Sequence, residues 1–171
     1  LLSDPISPLI QLPAEYRTHR ATRRVDLDPG QTCDLVDAQG PGCVRHFWIT
    51  SKSPEHLSIQ INCDGGEPQA RMKLHHFFGV LLGKAPYRIE SAPIKLMPLS
   101  GFNSYFAIPF QHSCRISLRN TGAETASVWS MVNWHKYESG VTVTPYRLHA
   151  RFSEETPAEP LGSTLLGAVR G

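Results

Sequence analysis

The chain has 171 residues, 40% of them hydrophobic and 19% charged, which is enough to bury the core of one ordinary domain and short for two. Its 13 glycines and 14 prolines, with few charges, describe a turn-rich globular chain and not a disordered one. The formal charge of +2 comes from basic residues spread along the chain, and no apolar run approaches the ~20 residues of a spanning helix, so neither nucleic acid nor a membrane is an expected partner.

Residues 1–24 read as a polar lead-in, and period-two alternation starts after them. The first strands are expected at Val25 to Asp28 and Thr32 to Val36, separated by the Asp28-Pro29-Gly30 turn. Gly40-Pro41-Gly42 turns the chain into a strand from Cys43 to Thr50. Leu57 to Cys63 alternates apolar and polar residues as a half-buried strand does, and Asp64-Gly65-Gly66 predicts a hairpin returning through Gln69 to Leu74. His75-His76-Phe77-Phe78-Gly79 then opens an irregular, functional-looking loop, with a short helix expected near Phe77 to Leu82. Strands resume at Ile94 to Leu99, Ser104 to Phe110, Arg115 to Arg119, Ala126 to Tyr137 and Tyr146 to Phe152.

About ten short strands with regularly spaced turns predict an all-β fold, an antiparallel sandwich of Greek-key or jelly-roll type occupying residues 25–152. Its expected core includes Val44, Ile59, Ile61, Ile116, Leu118, Val128 and Val132. The strand from Ala126 to Tyr137 carries large apolar groups on both faces, so Trp129 and Met131, with Phe102, Tyr105 and Phe106, form a second apolar set. That set is expected at a domain or subunit contact; the competing arrangement folds the loop from Gly79 to Pro98 over it. Residues 153–163 are acidic and proline-containing, the composition of a linker, and the alternation that restarts at 164–171 is expected to open a second domain of a longer protein.

The four cysteines include no C-x-x-C pair and each lies in a predicted strand, as buried thiols do, although their even number leaves a disulfide open. They and the unmarked amino terminus are compatible with the cytoplasm and with a periplasmic or secreted bacterial setting. Eight histidines give no H-x-H, H-E-x-x-H or His/Cys cluster, so no metal site is expected. The single histidines, His46 among them, read as ordinary strand residues. Neither a G-x-S-x-G elbow nor a glycine-rich phosphate loop is present, and most acids, Asp64 included, fall at turns where solvation explains them. Gly101 to Phe106 combines aromatic faces with an amide, which suits a sugar-binding wall. His75, His76, Phe77, Asn103 and Tyr105 are the candidate substrate-contacting residues.

Four segments, Gly40 to Trp48, Phe77-Phe78-Gly79, Gly101 to Phe110 and Tyr146 to Phe152, together resemble in order and spacing the first half of glycoside hydrolase family 172, from about Tyr16 onward. The resemblance implies the first of two jelly rolls in a protein that forms trimers or larger homo-oligomers, acts on fructofuranosides or arabinofuranosides and needs no cofactor. It also implies a retaining mechanism with two glutamates, both beyond Gly171, so no catalytic residue is expected in this chain. Two departures stand out: His75-His76 replaces the family's Gly-Asp before Phe-Phe-Gly, and residues 17–24 replace a Ser/Asp/Gly/Asn-rich loop. The alternative reading is a non-catalytic carbohydrate-binding or capsid-like assembly domain.

Overall fold

The computed structural model describes residues 15–81, 88–97 and 101–154. In chain order the strands are β1 (Tyr16–Leu27), β2 (Thr32–Gln39), β3 (Gly42–Ser51), β4 (Leu57–Cys63), β5 (Ala70–Lys73), β6 (Ile89–Glu90), β7 (Ile94–Met97), β8 (Gly101–Ser104), β9 (Ile108–Phe110), β10 (Ser113–Asn120) and β11 (Ala126–Tyr137). A 3-10 turn, Pro54–His56, precedes β4, and a one-turn helix, α1 (Leu74–Phe77), follows β5. One sheet runs β1-β11-β3-β8-β7-β6, with β9 also paired to β3, and the other runs β2-β10-β4-β5. All strand pairs are antiparallel, and the chain crosses between sheets after β1, β2, β3, β5, β9 and β10. That interleaving is the jelly-roll sandwich expected from the sequence.

The alternation places the core as anticipated. Strand β4 shows it most plainly, with Leu57, Ile59, Ile61 and Cys63 buried and the intervening residues partly exposed. Val44, Ile59, Ile61, Ile116, Leu118, Val128 and Val132 are all fully buried. One end is closed by the aromatic turn of α1: Phe47 meets Phe77 and Phe78 at ring distances of 5.8 and 6.0 Å, and Phe78 meets Phe102 at 5.2 Å. Phe102 therefore belongs to the core and not to the outward apolar set, and Phe106 packs against the same core from its edge.

Several boundaries differ from the sequence reading. Strand β1 begins at Tyr16, inside the expected lead-in: all twelve of its residues pair with β11, but before Val25 and Leu27 its partly buried positions are only His19 and Ala21. The run from Ser104 to Phe110 is interrupted: β8 ends at Ser104 and β9 begins at Ile108, leaving Tyr105 to Ala107 off the ladder. The short helix lies at Leu74–Phe77, earlier than expected. Tyr146 to Phe152 is not a strand; it contributes one isolated bridge, Ala150 to Ala70. Strands β6 and β7 extend the seven-stranded sheet past β8, while residues 82–87 and 98 of the loop from Gly79 to Pro98 lie outside the described residues. Residues 98–100, most of the linker at 153–163 and the strand expected at 164–171 lie outside the described residues.

Phe47→Ala should cost about 3–5 kcal/mol through the cavity it leaves against Phe77 and Phe78. Tyr146→Ala, at a side chain 63% exposed, should change stability by no more than about 0.5 kcal/mol. Urea unfolding of both variants checks the pair.

Candidate functional site

Strand β3 carries one extra residue opposite β11: His46 pairs with Asn133 and Val44 with Trp134, so Arg45 is bulged. On the other side of β3, Phe47 pairs with Ser104 and Val44 with Ile108, which pushes Tyr105 to Ala107 out of the ladder at the same level. Beside these irregularities the regular register sets a polar row across the outer face of the seven-stranded sheet. Arg20 Nε donates to Asn133 Oδ1 at 2.8 Å, which turns the Asn133 amide nitrogen toward His46 Nδ1 at 3.1 Å. His46 Nδ1 thus accepts, and Nε2 carries the hydrogen donated to Asn103 Oδ1 at 3.1 Å. Tyr105, 49% exposed, stacks on the His46 ring with centroids 4.7 Å apart.

Beside this row the same face carries a half-buried apolar set, Trp48, Trp129 and Met131, with Trp48 directly opposite Met131. The Arg24 guanidinium lies 5.9 Å from the centre of the Trp129 ring. Gly101, at φ +100°, is required here: a Cβ would lie 2.5 Å from Trp48 Nε1 and 2.7 Å from the Ile49 carbonyl oxygen. A cleft of about 480 Å³ adjoins the set, walled by Trp129, Phe102 and Met97 and edged by Thr50, Lys52 and Glu55. A larger groove of about 580 Å³ lies on the other sheet; its lining, including Arg71, Arg119, Gln60 and Ser58, holds no aromatic residue.

The five candidate residues fall in different places. Asn103 and Tyr105 meet at His46 on the outer face. Phe77 is buried among Phe47, Phe78 and Phe106. His75 is buried against Phe102, and its Nε2 has no hydrogen-bond partner among the described residues. Burial pushes its pKa down, against a smaller opposing effect of Glu55. His76 stacks on Phe152 at 3.7 Å, away from Asn103 and Tyr105. His46, Asn133 and Arg20 are the partners that sequence reading missed; they lie 57 to 113 residues from the groups they contact, a separation that leaves no local signature.

Asp64 also departs from expectation, since its side chain is only 16% exposed. It sits at φ +61°, followed by Gly65 and Gly66 at +78° and +72°, and this left-handed run turns its carboxylate into the sandwich end. Oδ1 accepts from the backbone N–H groups of His112 and Ser113 at 2.6 and 3.2 Å, and Oδ2 from that of Gln111 at 3.0 Å. Arg147 reaches the same Oδ2 through Nε and Nη2 at 2.9 and 2.7 Å. Burial alone would raise the Asp64 pKa, but the three backbone donors and Arg147 outweigh it and hold the carboxyl below its ordinary value. The Gln111 side chain bonds Val141 O and Val143 N at 3.1 and 2.9 Å, so the segment after β11 is pinned along this end.

Among the described residues no group of three His, Cys, Asp or Glu could hold a metal ion, and no helix is long and apolar enough to cross a membrane. Compared with known families, the chain matches GH172 first beta-sandwich domain over residues 15–154, a span that runs from the start of β1 to the pinned segment after β11. No curated protein matches it.

Asp64→Asn should lose roughly 2–3 kcal/mol near neutral pH, because the amide cannot replace an anion among these donors. The folded pKa of Asp64 lies below the unfolded one, so its contribution is complete above about pH 4 and disappears as pH falls through the folded value. The gap between wild type and variant, measured by urea unfolding from about pH 7 to about pH 2, should therefore close on acidification. A constant gap would contradict this account of Asp64.

Proposed function

Because the chain belongs to glycoside hydrolase family 172 through that family's first β-sandwich domain, we propose that it is the non-catalytic half of an enzyme acting on fructofuranosides or arabinofuranosides. In this reading the outer face of the seven-stranded sheet meets a second sandwich or another copy of the chain, and Asn103 and Tyr105 stand at the edge of the substrate pocket. His76 lies farther out beside Phe152, while His75 and Phe77 hold the aromatic plug that positions β8.

The observation that carries the proposal is the outward set Tyr105, Trp48, Trp129 and Met131, braced by the Arg20-Asn133-His46-Asn103 row. The sandwich core is already closed on the other side of these strands, and among the described residues Trp129, Met131 and Tyr105 stay partly exposed on the outer face. A planar Tyr beside an amide and an imidazole offers a stacking surface and directed hydrogen bonds, the combination a furanose ring can use.

The pairing of four acids bears on the non-catalytic part. Retaining glycoside hydrolysis needs two carboxyl groups roughly 5–5.5 Å apart, one of them free to act as nucleophile. Here Asp64 is tied to Arg147, Asp34 and Asp37 both face Arg115, and Glu90 lies between Arg88 and Lys95.

Aryl arabinofuranoside and fructofuranoside assays test the reading on this chain alone and on a longer chain carrying a second sandwich. Turnover is expected only from the longer chain, where Tyr105→Ala should lower kcat/KM about tenfold, equivalent to the loss of one aromatic contact. Turnover by the present chain would overturn the non-catalytic assignment. An unchanged kcat/KM in the Tyr105→Ala enzyme would remove Tyr105 from the pocket edge, and assembly without hydrolysis by the longer chain would favour a purely structural domain.

A further inference from the structure

Cys63 ends β4 and Cys114 lies near the start of β10, and the register sets them directly opposite each other. The adjacent pair is joined by a hydrogen bond from Asp64 N–H to the Ser113 carbonyl at 2.8 Å. Cys63 and Cys114 therefore occupy a non-hydrogen-bonded position, where opposed Cα atoms stand ~4.5 Å apart, within the span of a disulfide. The backbone of Cys63 is engaged on its other side: its N–H donates to Gln69 Oε1 at 2.7 Å and its carbonyl accepts from Gln69 Nε2 at 3.0 Å. Both side chains are buried, and the Cys63 thiol is directed at the Cys114 sulfur, 2.7 Å away. The other two cysteines have no such partner: Cys33 faces Leu118, and Cys43 faces Pro109 and His135.

We infer that Cys63 and Cys114 form a site of oxidative cross-linking, closed by a small peroxide without movement of the strands. The hydrogen bond with Cys63 and burial keep the Cys114 thiol protonated, so hydrogen peroxide converts the Cys63 thiol to a sulfenic acid with release of water. The second thiol then displaces that hydroxyl as another water, and the sulfur-sulfur bond forms. In sum, two thiols give up two protons and two electrons, and one peroxide is reduced to two waters. The bond would tie the two strand ends that carry the Asp64 anchor, since Asp64 follows Cys63 and its donor Ser113 precedes Cys114. Oxidation would thus hold together the end of the sandwich to which residues 141–147 are fastened.

The test treats the folded chain with hydrogen peroxide in a background of Cys33→Ser and Cys43→Ser, so that only the proposed pair remains. Free thiols are expected to fall from two to none, the mass to drop by two hydrogen atoms, and a peptide map to link residues 63 and 114 within one chain. Dithiothreitol should reverse all three, and the thermal midpoint should be higher before reduction than after it. In the unmodified sequence the same treatment should give the same link between residues 63 and 114. Thiols that persist, oxygen added without a cross-link, or a bond formed between chains would overturn the inference. Adding Cys114→Ser to the same background should abolish the loss of mass.

Discussion

Phe47 turns inward onto Phe77 and Phe78 while its neighbours His46 and Trp48 turn outward, and that alternation on one central strand organises both sides of the sheet. The inward half closes the sandwich core, and the outward half gathers the residues around which function is proposed. An unbulged β3 would carry a single register past β11 from end to end; the extra residue changes it between Asn133 and Trp134, beside the pair that His46 makes with Asn133. The outer row therefore depends on the core: His46 is held from both sides by strands whose register is fixed by the residues they bury.

The Asp64 anchor plays the corresponding part at one end of the molecule. A jelly roll leaves its connecting turns as loose loops unless something fastens them, and here one carboxylate collects three backbone donors and a guanidinium from segments far apart in the chain. The interaction ties the β4–β5 turn, the β9–β10 turn and the segment after β11 into one unit. This explains why the run from Tyr146 to Phe152 leaves the sheets despite its apolar alternation. Arg147 faces Asp64, and Ala150 reaches only far enough to donate its N–H to Gln69 O at 2.9 Å.

Much of the fold was legible because its strands obey a two-residue period. Strand β4 and strand β11 begin and end where their alternation does, and the anticipated core residues are buried. Where inward residues are weakly apolar, the pattern fails: the first half of β1 is a strand by virtue of its partner, and His19 and Ala21 give no sign of it. The interruption after Ser104 is equally silent in the sequence. The candidate site was legible only in part. Asn103 and Tyr105 stand out by residue type, but His46 reads as ordinary without its partners from β8 and β11 beside it. Asp64 carried the marks of a solvated turn, and only its left-handed backbone and the donors opposite reveal an anchor.

In the proposed function, the outer face of the seven-stranded sheet is a contact face in a longer chain. Hydroxyl-radical footprinting measures this directly, by comparing labelling of Trp129, Met131 and Tyr105 in the present chain with labelling in a longer chain that carries the second sandwich. The account expects all three to be protected in the longer chain while the exposed Tyr146 at the other end serves as the unchanged control. Equal labelling of Trp129, Met131 and Tyr105 in both would show that this face stays open to solvent, and would contradict the account.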